Sequence, residues 1–135
     1  MDFTKMIEEA IFARNNRTYT PYSNFKVGAC VMMEDGSLYS GGNIENSSYG
    51  ATNCAERTAI FKAISEGKKK IKAIAIVADQ EDVFPCGICR QVIREFSDDA
   101  EIIIASSINK YEIYTINDLL PNSFTNKNMG VKKDV

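Results

Sequence analysis

Two short segments hold most of the side chains that could do chemistry: Cys54-Ala55-Glu56 and, after a long gap, Pro85-Cys86-Gly87-Ile88-Cys89. Three of the four cysteines are thereby gathered around one acid. Three thiolates fill three corners of a zinc tetrahedron and leave the fourth for water, whereas a structural zinc takes four protein ligands and closes itself. The pattern therefore fits a catalytic metal site. The chain contains no histidine, which excludes Ser-His-Asp and Cys-His machinery, His metal ligands and a His general base. Proton transfer falls to a carboxylate, Lys, Tyr or Cys.

The elements that must position these residues can be read from periodicity. Phe3, Met6, Ile7, Ala10 and Ile11 recur at helical spacing and predict an opening amphipathic helix that ends near Asn15-Asn16. Pro21 to Asn24 reads as a loop. Phe25, Val27, Ala29 and Val31 then alternate with Lys26, Gly28, Cys30 and Met32 as in a strand, and Asp35-Gly36 turns a hairpin. A second strand over about Ser37 to Tyr39 runs into Gly41-Gly42 and a polar loop from Asn43 to Asn53. A helix follows from Cys54 to Glu66, stopped by Gly67. Ile71 to Ala78 is nearly continuously apolar, the pattern of a central strand covered on both faces.

Pro85 precedes a helix from about Gly87 to Phe96, after which Glu101–Ala105 reads as a strand. The gap from Ile104 to Tyr111 is too short for a helical crossover, so Tyr111 to Thr115 should return antiparallel. Asn117 to Leu120 predicts a short helix, and about 126–135 reads as a mobile tail. This order implies a single α/β domain over 1–135, a three-layer α-β-α sandwich with a mixed five-stranded sheet. Both cysteine clusters then fall at helix N-termini, where backbone N–H groups and the macrodipole stabilise thiolate.

At 135 residues and 44% hydrophobic content the chain is large enough to bury one core without disulfides. A net charge of -2 and a pI near 5.2 give no broad attraction to phosphate backbones, so a nucleic-acid polymer is not the expected partner. No apolar stretch approaches the roughly 20 residues of a membrane span, and no leader is evident, which predicts a cytoplasmic protein away from the membrane. In a reducing compartment a Cys-x-x-Cys pair is metal-binding or redox-active before it is a disulfide.

Taken alone, Cys86-x-x-Cys89 also fits a redox dithiol or two core cysteines. Cys54-x-Glu56 upstream turns it into the three-cysteine form of the zinc-deaminase signature, in which a glutamate that is not a ligand shuttles protons. At this point the chain resembles the small, homotetrameric cytidine deaminases over nearly its whole length. The matching segments are Pro21 to Ala29, Asn43-Ile44-Glu45-Asn46, Cys54 to Ala59 and Pro85 to Gln91.

The resemblance implies one Zn2+ per subunit on Cys54, Cys86 and Cys89. It also implies hydrolytic deamination of cytidine and deoxycytidine in pyrimidine salvage, within a homotetramer. Glu56 would take the water proton, pass it to N3 as hydroxide attacks C4, and later protonate the departing amine. Phe25 would lie against the base, Asn43 and Glu45 on the ribose 3′-hydroxyl, and the Ala55 backbone and Phe84 carbonyl on the polar edge of the pyrimidine. Arg57 would hydrogen-bond the cysteine sulfurs and offset the net charge of -1 left by three thiolates on zinc. Arg90 is a second candidate for that task, or a structural residue. Ser47, Tyr49 and Phe124 match residues that complete neighbouring subunits' sites. The departures are Phe84, bulkier than the small residue expected there, and Ser47, where Ala is common.

Two other readings remain at this stage. One is a deaminase of a modified cytosine nucleoside such as blasticidin S, against which Phe25 and Asn43-x-Glu45 argue. The other is a non-catalytic zinc module in which Cys30 closes a four-sulfur site, although its place in an alternating strand reads as core.

Overall fold

The computed structural model describes residues 2–130. Helix α1 (Thr4–Asn16) leads into a hairpin of β1 (Val27–Met33) and β2 (Leu38–Gly42), then α2 (Ala55–Ser65), β3 (Ile71–Ala78), α3 (Gly87–Glu95), β4 (Glu101–Ser107), β5 (Lys110–Thr115) and α4 (Ile116–Leu119). The strands form one sheet in the order β2-β1-β3-β4-β5. Only β3 and β4 run parallel, because α3 gives the chain the length to cross over between them. The short Ile108-Asn109 connection forces β5 back antiparallel onto β4. The mixed five-stranded sheet and the three layers are those expected from the sequence.

The two faces of the sheet are separate cores. On one, α2 and α3 bury Ile60 and Ile93 against Val31, Ile74, Ile76 and Ile102. On the other, α1 buries Met6 and Ile7 against Cys30, Val77 and Ile103. Central β3 is covered on both sides and exposes only Lys72. The helices sit unusually close to the sheet. A Cβ added at Gly28 would fall 1.9 Å from the Ala10 carbonyl oxygen, and one at Gly41 2.9 Å from the Ala59 nitrogen, so α1 and α2 rest on bare backbone.

Several boundaries differ from expectation. β1 starts at Val27, so Phe25 precedes the strand. β2 runs on through Gly42 and β4 through Ser107. The polar loop contains a 3-10 turn at Tyr49–Ala51. A second 3-10 turn, Asn126–Met129, is capped by Thr125 and closed by Gly130 at φ 70, while 131–135 of the expected tail lie outside the described residues.

Candidate metal centre and nucleoside pocket

Cys54 and Cys86 occupy the N-cap positions of α2 and α3, with extended backbone at φ -69, ψ 155 and φ -67, ψ 167. Neither sulfur caps its own helix. Cys89 lies one helical turn beyond Cys86 on the same face of α3. The three sulfurs lie within 4.8 Å of one another, and Cys54 Sγ and Cys86 Sγ are 3.7 Å apart. Two thiolates bound tetrahedrally at about 2.3 Å stand about 3.8 Å apart, so the donors present fit zinc. No other such group of His, Cys, Asp or Glu occurs among the described residues.

The electrostatics favour a thiolate. Hydrogen bonding from Cys89, with Arg57 and Cys86 adding to it, lowers Cys54 to about 5 against the cost of burial. Cys89 is raised in turn, because its proton is held in the hydrogen bond to the Cys54 thiolate and the thiol is buried. A metal bound by these sulfurs would displace that proton. Glu56, the second residue of α2, is only 4% exposed. Burial pushes its carboxyl up to about 7, aided by the nearby Cys54 charge and opposed by its own backbone N–H.

Above these groups lies a cavity of about 270 Å³. Its walls include Phe25, Asn43, Glu45, Ala55 and Phe84 together with Cys54, Glu56 and Cys86. Residues from four separate segments thus meet in one cavity. The Asn43 amide is bonded to the backbone on both sides of Lys26: Oδ1 accepts from Val27 N at 2.9 Å and Nδ2 donates to Phe25 O at 2.8 Å. The Phe25 carbonyl is thus taken by a side chain rather than by a strand partner. Glu45 Oε1 accepts from Tyr22 N and Ser23 N at 2.9 and 3.1 Å, and the Ser23 hydroxyl donates to Oε2. The Ser23 hydroxyl and these N–H groups hold Glu45 below the usual carboxylate range.

Ser23 is the pocket residue that sequence reasoning gave no role. Its hydroxyl also accepts from Phe25 N at 3.0 Å and links Glu45 to the aromatic wall. Its only signal was its place in the Pro21 to Ala29 segment. Ser47, Tyr49 and Phe124 lie outside this chain's own cavity and are exposed; the Tyr49 ring meets Tyr22 edge-on at 5.8 Å. Phe84 turns its ring against Tyr114, 5.2 Å between centroids.

Arg57 and Arg90 separate clearly. Arg57 donates to Cys54 Sγ at 3.2 Å. Arg90 donates instead to backbone carbonyls of Pro85 and Leu119. The four-sulfur alternative fails on topology. Cys30 is buried in the α1 face of the sheet, whereas α2 and α3 carry the other three cysteines on the opposite face. There burial pushes its thiol up to about 12.

Three sulfurs and a buried carboxyl at the floor of a small pocket define a thiolate metal centre with an acid–base group beside it. A family model described as the cytidine and deoxycytidylate deaminase zinc-binding region matches residues 3–106. The chain belongs to this zinc-binding deaminase family. It is 50% identical over 132 residues to the cytidine deaminase of Halalkalibacterium halodurans, covering 96% of this chain and 99% of that protein. To the cytidine deaminase of Sporosarcina psychrophila it is 48% identical, covering 96% of each. The crystal structure of cytidine deaminase from Burkholderia pseudomallei superposes with a TM-score of 0.85 at 41% identity, covering 92% of this chain and 100% of that one.

Proposed function

We propose that the protein hydrolyses cytidine and deoxycytidine to uridine and deoxyuridine, releasing ammonia, as a step of pyrimidine salvage. The observation that carries this reading is the joint placement of Glu56, Cys54 and Cys86 in one cavity with Phe25, Asn43 and Glu45. Zinc held by Cys54, Cys86 and Cys89 would supply an activated water at neutral pH. Glu56 would take one proton of that water and deliver it to N3 as the oxygen bonds C4, then take the second proton from the C4 hydroxyl and pass it to the departing amine. Burial raises this carboxyl above its ordinary value, which favours holding the proton between the two transfers.

Phe25 supplies the flat apolar wall for the base. The Ala55 backbone and the Phe84 carbonyl hold its polar edge, while Asn43 and Glu45 face the sugar. Asn43 and Glu45 offer the sugar hydroxyl bonds that a free base cannot take up, which favours nucleosides over cytosine. Phe25 and the Asn43–Glu45 pair likewise favour an ordinary cytosine nucleoside over a modified one such as blasticidin S.

The reading includes a homotetramer in the cytoplasm. In it the exposed Tyr49, Phe124 and Ser47 meet neighbouring pockets. Tyr49 and Phe124 are 75% and 59% exposed, large apolar areas for an isolated chain. Three closely spaced thiols suit a reducing compartment.

Zinc-loaded protein given cytidine, deoxycytidine, cytosine and CMP should lose cytosine absorbance only with the two nucleosides. Light scattering of the same sample should give four chains per particle. Absence of turnover with either nucleoside would sink the reading.

A further inference from the structure

Arg90 follows Cys89 directly in α3, yet its guanidinium leaves the sulfurs alone. Nε donates to the Pro85 carbonyl at 2.8 Å and Nη1 to the Leu119 carbonyl at 2.8 Å. The first carbonyl belongs to the buried residue between Phe84 and Cys86. The second belongs to the last residue of α4, one of the carbonyls a helix end leaves without an internal partner. Gln91 extends the contact, its Nε2 donating to the Phe124 carbonyl at 2.9 Å. The 119–124 segment is therefore strapped along α3.

Cys86 is the ligand least held by packing. It is exposed, whereas Cys54 is half-buried and Cys89 is buried. A ligand on an exposed turn must be aimed by hydrogen bonds around it, and loss of such support weakens a metal site. A rigid, planar fork of donors fixes both the distance and the angle between the two carbonyls it bridges. We propose that Arg90 is a positioning residue: by bridging the Pro85 and Leu119 carbonyls it sets the direction from which Cys86 reaches the metal and the Phe84 carbonyl faces the pocket. The inference rests on the zinc-deaminase reading above.

The test is zinc transfer from the loaded full-length protein to a chromophoric chelator, without substrate, in wild type, Arg90→Gln, Arg90→Lys and Ile93→Val. Ile93 is buried in the same helix, and its truncation weakens the fold without touching the ligand turn. Arg90→Gln should release zinc faster, by up to the roughly 10–100-fold seen when a group bonded directly to a metal ligand is lost, and should lower kcat more than it raises KM. Arg90→Lys, with a compact ammonium in place of the fork, should recover part of the difference.

Ile93→Val should release zinc at the wild-type rate despite its lower Tm. Release from Arg90→Gln at the wild-type rate would overturn the proposal, as would acceleration in Ile93→Val that tracks its loss of Tm. If Arg90→Gln does not fold, Arg90→Lys decides, and a wild-type release rate there is the overturning result. Cytidine turnover by wild type is measured separately, so failure of the deaminase reading is visible apart from the release comparison.

Discussion

Arg57 Nη2 lies 3.2 Å from Cys54 Sγ, so a guanidinium and a metal-ligand sulfur share the first turn of α2. Three thiolates on Zn2+ sum to -1, and a cation bonded to the sulfur draws charge away from the metal. Arg57→Gln keeps a donor but removes the charge. It is expected to lower kcat by roughly 10–100-fold with zinc still bound at one per chain. Steady-state rates alongside metal analysis check this, and an unchanged kcat would assign Arg57 to packing alone.

Glu56→Gln preserves shape and hydrogen bonding while abolishing proton transfer. The variant should keep its zinc but lose on the order of 10²–10⁴-fold in rate. A rate near wild type at equal zinc content would rule out the shuttle.

The same substitution should leave a pH signature in the metal-free protein. Burial raises Glu56 from 4.5 to about 7, so the folded state favours its protonated form. The stability this contributes is full below about pH 4.5 and is lost as pH rises through about 7. Glu56→Gln escapes that loss. Its stability relative to wild type should grow between pH 4.5 and pH 8, by on the order of 3 kcal/mol for a shift of this size. Urea unfolding of both proteins across that range measures it, and a difference independent of pH would refute the raised carboxyl.

Cys30→Ser places a hydroxyl in the apolar cluster beneath α1, where an unpartnered buried group costs roughly 1–3 kcal/mol. Tm should fall while zinc stays at one per chain and activity is retained at temperatures where the variant is folded. Loss of zinc would revive the four-sulfur site.

Much of this protein was legible in its sequence, because the signals are local. Helical spacing from Phe3 to Ile11, alternation from Val27 to Val31 and the continuous apolar run of β3 reflect side chains meeting one environment per face. Cys54 and Cys86 announced themselves as helix starts through the residues around them. Phe25 was misread as a strand residue. Its carbonyl is taken by the Asn43 amide, a contact across 18 positions that no local pattern encodes. Ser23 was passed over for a similar reason, since its bonds to Glu45 span 22.

The three cysteines, the glutamate and the absence of histidine are fixed by sequence alone, and they determine a thiolate metal site with a carboxylate for proton transfer. Whether the fourth corner stays open was a question of faces, and the sheet decides it by putting Cys30 on the side away from α2 and α3. Arg57 and Arg90 are the same residue type, each directly after a signature residue, Glu56 or Cys89. The packing of α3 against α4 draws Arg90 to a carbonyl oxygen, while Arg57 on α2 reaches sulfur. Residue types are properties of single positions. Which groups they reach depends on contacts between segments distant in the chain, and those exist only once the layers have closed.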